Sequence, residues 1–334
     1  MEEKKVLLKV RDLKQWFQVK TWFFEKKKFV KAVNGVSFDL YEGETLGIAG
    51  ESGCGKSTLI RSCLRLLKPT AGSVEFDGHE IAKLSRRKLR PFRKNMQIIF
   101  QDPYASLDPK WKIKALLEEP LIVNKTYKTK EERLKKVCDV LESVGISSEY
   151  LGRYPHNFSG GQRQRIAIAS SLLTDPKLIM CDEPVSALDV SVRAQVLNLL
   201  KDLQREYKLT YIFVSHDMSV IEYICDRVAI MYLGKMVEIG DKNAIFNNPK
   251  HPYTQALLSA VPRADQEVDT SKRIILEGDI PSPVDPPAGC VFHTRCRHAM
   301  DICKQEVPPT LDMGCGHCVS CHLYTQEQAQ SQEQ

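Results

Sequence analysis

Three stretches of the chain run apolar without alternation and end on polar residues: Met96–Gln101 (MQIIFQ), Lys177–Pro184 (KLIMCDEP) and Thr210–His216 (TYIFVSH). Continuous apolar runs of this length predict strands buried on both faces, as in a parallel sheet. Between them the period changes. Over residues 130–146, Leu134, Val137, Leu141 and Val144 recur at helical spacing, and Gly145 is a stop signal. Over residues 191–207, Val192, Val196, Leu199, Leu203 and Tyr207 mark one helix face. Shorter strand-like runs lie at LLKVRDL, KFVKAVNGVSFDL and ETLGIAG, and Asp77-Gly78 predicts a hairpin within SVEFDGHEI. RVAIMYLGKMVEIG predicts a second hairpin around Gly234. Strands alternating with helices make an α/β domain.

The texture shifts from about Ala260. Prolines crowd IPSPVDPPAG, and six of the chain's 11 cysteines follow between Cys290 and Cys321. The last residues, QEQAQSQEQ, are a polar low-complexity tail expected to be disordered. The other five cysteines (Cys54, Cys63, Cys138, Cys181, Cys225) sit mostly in apolar segments and read as small core residues. A length of 334 residues leaves room for one large domain plus an appendage. No apolar run is long enough to span a bilayer, and MEEKKVLLKV lacks the pattern of a secretory signal, so the expected compartment is the cytoplasm. Net charge is +6, with basic runs at Lys26–Lys28 and Ser85–Lys94. Aromatics do not interleave with these charges as a base-stacking surface requires, so no nucleic-acid partner is expected.

Phosphate chemistry is written into GIAGESGCGKST. Gly50-x4-Gly55-Lys56-Ser57 follows an apolar strand and opens a helical run, the setting a P-loop requires. Its glycines let backbone N–H groups surround phosphate oxygens, Lys56 reaches the β and γ phosphates, and Ser57 is a Mg²⁺ ligand. Residues Glu51, Ser52, Gly53, Cys54 and Thr58 complete the loop. Asp182 closes a second apolar strand, where a parallel sheet presents a carboxylate to phosphate-bound Mg²⁺, and Glu183 beside it is placed to polarise water. Phe158–Arg165 (FSGGQRQR) opens a helix with Ser159, Gly160, Gly161 and Gln162, a second anion site that one P-loop does not need. Gln101 and His216 are polar tips on apolar strands.

The order P-loop, Gln101, SGGQ, DEP, SALD (Ser186–Asp189) and His216 resembles the nucleotide-binding subunit of an ABC transporter. The resemblance implies a P-loop ATPase domain over 1–258 with a RecA-like core, an antiparallel β subdomain and a helical subdomain at about 102–175. It further implies a head-to-tail dimer that sandwiches two ATPs. Glu183 would be the general base, and His216 would hold the γ-phosphate and water in line. Gln101 would link Mg²⁺ and water to the membrane partner, with Ser57 and Asp182 as the other Mg²⁺ ligands. Ser159 and Gly161 would reach the partner's γ-phosphate, and Asp189 the partner's P-loop. Trp16 falls where the family stacks an aromatic on adenine, with Phe17 as the fallback. Phe158 stands where the family has Leu, an apolar exchange without chemical consequence.

QDPYASLDP and NPKHPYTQALLSAVP are similar to the dipeptide and oligopeptide importer branch, closest to its second ATPase subunit. That implies a paralogous ATPase partner (a homodimer in isolation), two membrane permeases, an external peptide-binding protein, and peripheral attachment to the cytoplasmic face of the inner membrane. Nickel importers share these features, and a soluble DNA-acting ABC ATPase is the rival from another class. By resemblance to the branch, Cys290, Cys296, Cys303 and Cys321 within a C-terminal extension at 259–324 would ligate a [4Fe–4S] cluster. Zinc is the alternative, since Cys315, Cys318 and Cys321 form a C-x2-C-x2-C run beside His317 and His322, and unligated thiols are the third reading.

Overall fold

A computed structural model describes residues 4–19, 27–102, 106–261 and 274–325. The polar tail at 326–334 and Lys26 of the first basic run lie outside the described residues. The chain divides into two compact units.

One unit comprises residues 1–5, 41–45 and 84–214. Its sheet is parallel, formed by β6 (Met96–Ile99), β7 (Leu178–Asp182) and β8 (Thr210–Ser215, whose last residue belongs to the other unit), with Ile99 opposite Cys181 and Asp182 opposite Val214. Every residue of β7 and β8 is buried, as continuous apolar runs demand. β6 departs from the expectation. It pairs with β7 on one side only, and Gln97 and Ile98 are half-buried because an end strand is covered less completely.

Helices fill the rest of this unit: α2 (Arg86–Arg93), α3 (Ile113–Asn124), α4 (Lys130–Ser143), α5 (Gly160–Leu172) and α6 (Val190–Tyr207). Helix α4 starts at a reciprocal capping box, with Thr129 accepting from the Glu132 N–H and Glu132 from the Thr129 N–H. Gly145 sits past its end at φ +73°, a left-handed turn that glycine enters without strain. The buried face of α6 is Val196, Leu197, Leu200 and Leu203, rotated from the predicted one. Leu199 and Tyr207 are half-buried, because Leu197 and Leu200 are the residues turned inward. Cys138 on α4 is also half-exposed, unlike the four buried cysteines Cys54, Cys63, Cys181 and Cys225.

The second unit comprises 6–40, 46–83 and 215–334. One sheet runs β2 (Phe29–Tyr41), β1 (Val6–Gln18), β4 (Ala71–Phe76), β5 (His79–Glu80). The predicted Asp77-Gly78 turn joins β4 to β5, with Phe76 opposite His79. A second layer pairs β3 (Thr45–Ala49) in parallel with β9 (Arg227–Tyr232), which turns through Leu233-Gly234 into antiparallel β10 (Lys235–Asp241). The cysteine segment then extends this layer. β12 (Cys318–Ser320) pairs with β10, and β11 (Thr310–Asp312) with β12. Helices α1 (Lys56–Cys63), α7 (Met218–Ile224), α8 (Lys242–Asn247), α9 (Pro252–Ser259) and α10 (Asp301–Gln305) complete the unit.

Candidate functional site

The loop between β3 and α1 has the backbone that its glycines predict. Gly50 and Gly55 have φ +150° and +104°, and a Cβ on either would lie 2.2 Å from the Met231 carbonyl or 2.0 Å from the Ala32 carbonyl. A side chain cannot be accommodated at either position. Lys56 is buried, and its Nζ donates to Gly50 O (2.7 Å) and Glu51 O (2.9 Å). The ammonium is thus held over the loop that would receive phosphate. Helix α1 starts at Gly55 with no side-chain cap, leaving its first N–H groups to the loop.

At the C-terminal end of β7, Asp182 is fully buried and Glu183 is half-buried. Glu183 adopts φ +49°, a left-handed conformation uncommon for a non-glycine residue. It is fixed on both sides: its N–H donates to Val214 O (3.1 Å), and its carbonyl accepts from the Ser186 N–H (3.2 Å) and hydroxyl (3.0 Å). Gln101, just past β6, donates from Nε2 to Glu183 Oε2 at 3.2 Å. Two residues 82 positions apart in sequence therefore meet at adjacent strand ends. His216 is exposed immediately after β8.

Ser159 caps α5 in a second reciprocal box, accepting from the Gln162 N–H (3.3 Å) while Gln162 Oε1 accepts from the Ser159 N–H (3.0 Å). A Cβ on Gly161 would lie 2.5 Å from Val192 Cγ1, so this turn packs too closely on α6 for a side chain. Gly160 is the intervening first residue of α5. Phe158 is buried edge-on against Tyr150, which accounts for an aromatic at that position. Asp189 is exposed at the start of α6 and makes no capping hydrogen bond through its side chain; Val190 beside it is 79% exposed. Trp16 is half-buried, with Phe29 at 6.4 Å and the Lys31 ammonium 5.6 Å from its ring centroid. Phe17 is 38% exposed.

The cysteine segment sorts its residues clearly. Cys290, Cys303 and Cys321 are buried and Cys296 is half-buried. The Cys290 N–H donates to Cys303 O (2.8 Å). Burial pushes the Cys321 thiol up to about 12 against the Leu323 N–H, and the neighbouring Cys290, Cys296 and Cys303 push it in the same direction as burial. Cys315 is exposed at φ +53°, and Cys318 lies on β12, where Asp312 and Arg227 are its charged neighbours. His317 and His322 have other work: His317 Nε2 contacts the buried Glu238 Oε1 at 2.7 Å, and His322 Nε2 contacts Glu306 O at 3.0 Å. Each histidine thus has one ring nitrogen engaged by protein oxygen. Among the described residues, no three His, Cys, Asp or Glu side chains gather around one ion position.

Sequence reasoning left several residues without a role. Glu238 is 1% exposed and accepts from the Lys250 N–H (2.7 Å), the His251 N–H (2.9 Å) and His317, pinning the cysteine segment to β10. Tyr253 OH accepts from the Glu51 N–H at 2.9 Å, and Arg295 grips the Glu51 carboxylate.

The family model described as "ABC transporter" matches residues 33–186, and the one described as "Oligopeptide/dipeptide transporter, C-terminal region" matches 237–303. The oligopeptide transport ATP-binding protein AppF of Bacillus subtilis is 52% identical over 322 residues, covering 96% of this chain and 98% of that protein. The dipeptide transport ATP-binding protein DppF of Escherichia coli is 51% identical, with 96% of each chain covered. Among solved structures, a dimeric post-hydrolysis ATP-binding cassette, MJ0796 bound to ADP and Pi, superimposes with a TM-score of 0.63 at 28% identity, covering 71% of this chain and 99% of that one.

Proposed function

The chain belongs to the ABC transporter ATP-binding family, in its oligopeptide and dipeptide branch, and from that premise we propose that it hydrolyses ATP to drive peptide import through a membrane permease. The observation that carries the reading is the joining of Gln101 to Glu183 at the ends of adjacent parallel strands. A carboxylate held at a fixed backbone geometry, with a glutamine amide on one oxygen, is a general base positioned for water.

On this reading the P-loop amides and Lys56 hold the triphosphate, and Glu183 accepts a proton from the attacking water. His216 orients that water against the γ-phosphate. Ser57, Gln101 and Asp182 are oxygen donors of the kind Mg²⁺ takes. Mg²⁺, when bound, neutralises charge developing on the transferred phosphoryl group. Ser159, Gly160, Gly161 and Gln162 at the start of α5 serve a second subunit's nucleotide. Asp189, with the exposed Val190, contacts that subunit. Adenine stacks on the aromatic pair of β1. Phe17 offers the more exposed ring, while Trp16 already packs on Phe29.

The second subunit is a paralogous ATPase, and the assembly includes two permeases and receives peptide from an external binding protein. Among the described residues no helix is long and apolar enough to cross a membrane, which is consistent with peripheral attachment to the inner membrane's cytoplasmic face. Cys290, Cys296, Cys303 and Cys321 hold a [4Fe–4S] cluster. The nearness of Cys290, Cys296 and Cys303 to Cys321 supports this reading. The cluster, when bound, braces the extension. Glu183→Gln is expected to bind ATP, accumulate a closed dimer and lower turnover by about 10²–10⁴-fold. Turnover within a few-fold of the unsubstituted chain would remove Glu183 as base.

A further inference from the structure

Glu51, the second residue of the P-loop, is held at all three of its polar groups. Its carbonyl accepts from Lys56 Nζ at 2.9 Å, within the loop. The other two holds come from far along the chain. Its N–H donates to Tyr253 OH at 2.9 Å, across 202 residues. Its carboxylate takes both arms of the Arg295 guanidinium, Nη1 to Oε2 at 2.9 Å and Nη2 to Oε1 at 3.4 Å, across 244 residues. The Arg295 side chain is only 8% exposed. A two-pronged guanidinium–carboxylate contact fixes orientation as well as distance.

Both distant residues are themselves locked. Tyr253 packs on Tyr232 at 4.7 Å and on Phe292 at 5.3 Å, and Tyr232 meets Phe292 edge-on at 5.2 Å. Phe292 and Arg295 lie in the segment between Cys290 and Cys296. The Gly234 N–H, in the β9–β10 turn, donates to Cys54 O at 2.9 Å, so the same region supports the loop from a second side.

The charge pattern has a purpose in a loop that must receive a polyanion. An unneutralised Glu51 carboxylate would oppose triphosphate, and an untethered one would let the loop swing. We propose that Arg295 and Tyr253 are positioning residues for nucleotide binding, holding Glu51 neutralised and the P-loop in its receptive shape. This rests on the ATPase reading of the P-loop and is independent of what the four thiols bind. It makes the C-terminal extension part of the nucleotide site.

The test is the affinity of the full-length chain for a fluorescent ATP analogue. Arg295→Ala, which frees the carboxylate, is expected to raise Kd by about 3- to 30-fold, and Glu51→Gln, which loses the tether but also the opposing charge, by a smaller factor, with the double variant no weaker than Arg295→Ala. Tyr253→Phe, which keeps the ring and removes the hydroxyl that accepts from Glu51, is expected to raise Kd by a smaller factor. Arg295→Lys, which keeps the charge and loses the fork, should fall between Arg295→Ala and the unsubstituted chain. KM should follow Kd while kcat at saturating ATP stays nearly constant, a split that general loosening of the fold would not produce. Amide exchange at residues 50–56 should quicken in Arg295→Ala. Unchanged Kd in Arg295→Ala, or single losses that multiply in the double variant, would overturn the proposal. If Arg295→Ala does not fold, Glu51→Gln and Tyr253→Phe decide, and unchanged affinity in both overturns it. An unsubstituted chain that binds no ATP would remove the ATPase reading and this inference with it.

Discussion

Lowering the pH should weaken the region around the P-loop through a single buried imidazole. His251 caps α9, and its Nδ1 accepts from the Tyr253 N–H at 3.1 Å, which requires a neutral ring. Burial pushes its pKa down from 6.5 to about 4, against the pull of the Glu238 carboxylate. Because the folded value is the lower one, the unfolded chain takes up the proton first as pH falls. The stabilisation is complete above about 6.5 and is lost progressively between there and about 4. At pH 5 the loss amounts to about 2 kcal/mol, set by a 2.5-unit gap with most of the unfolded chain protonated. His251→Asn is the informative variant, since asparagine supplies a capping oxygen but does not titrate. Urea unfolding of both chains between pH 7.5 and 4.5 measures the difference. The two stabilities should converge by about 2 kcal/mol from pH 7.5 to 5. Parallel curves across that range would refute the claim that a neutral, buried His251 holds Tyr253 in place.

Cys321→Ser should lose iron from anaerobically purified protein, with the brown absorption near 400 nm, whereas Cys315→Ser and Cys318→Ser should retain about four iron per chain. Elemental analysis and absorption decide it, and zinc in place of iron would remove the cluster. On the proposed function, Ser159→Ala in this subunit should impair hydrolysis at the partner subunit's P-loop by about tenfold or more. Mixed dimers with one disabled P-loop measure this; loss confined to the variant's own P-loop would contradict the head-to-tail arrangement.

Much of the fold was legible because its strands are nearly pure in pattern. β7 and β8 are apolar throughout and buried throughout, and the Asp77-Gly78 and Gly234 turns fall where their residues allow little else. Reading was weaker where burial depends on neighbours. β6 has the same apolar run but ends its sheet, and α6 has enough leucines to turn either of two faces inward. The P-loop was legible because glycines at Gly50 and Gly55 answer to steric contacts that no other residue could relieve. The Gln101–Glu183 contact could be anticipated from strand ends in a parallel sheet. The hold of Tyr253 and Arg295 on Glu51 could not, because nothing local in a tyrosine or an arginine names a partner more than 200 residues away. The same holds for His317: a histidine between two cysteines suggests metal until its buried carboxylate partner, Glu238, is seen.

The central claim is that ATP hydrolysed at Glu183 drives peptide across the membrane. Its most direct measurement is ATP-dependent uptake of a labelled dipeptide or oligopeptide into vesicles bearing this chain with its permeases and paralogous subunit. Uptake should require ATP and peptide-binding protein and be abolished when this chain carries Glu183→Gln. Uptake that persists with Glu183→Gln, or vesicles that hydrolyse ATP yet accumulate nickel and no peptide, would contradict it.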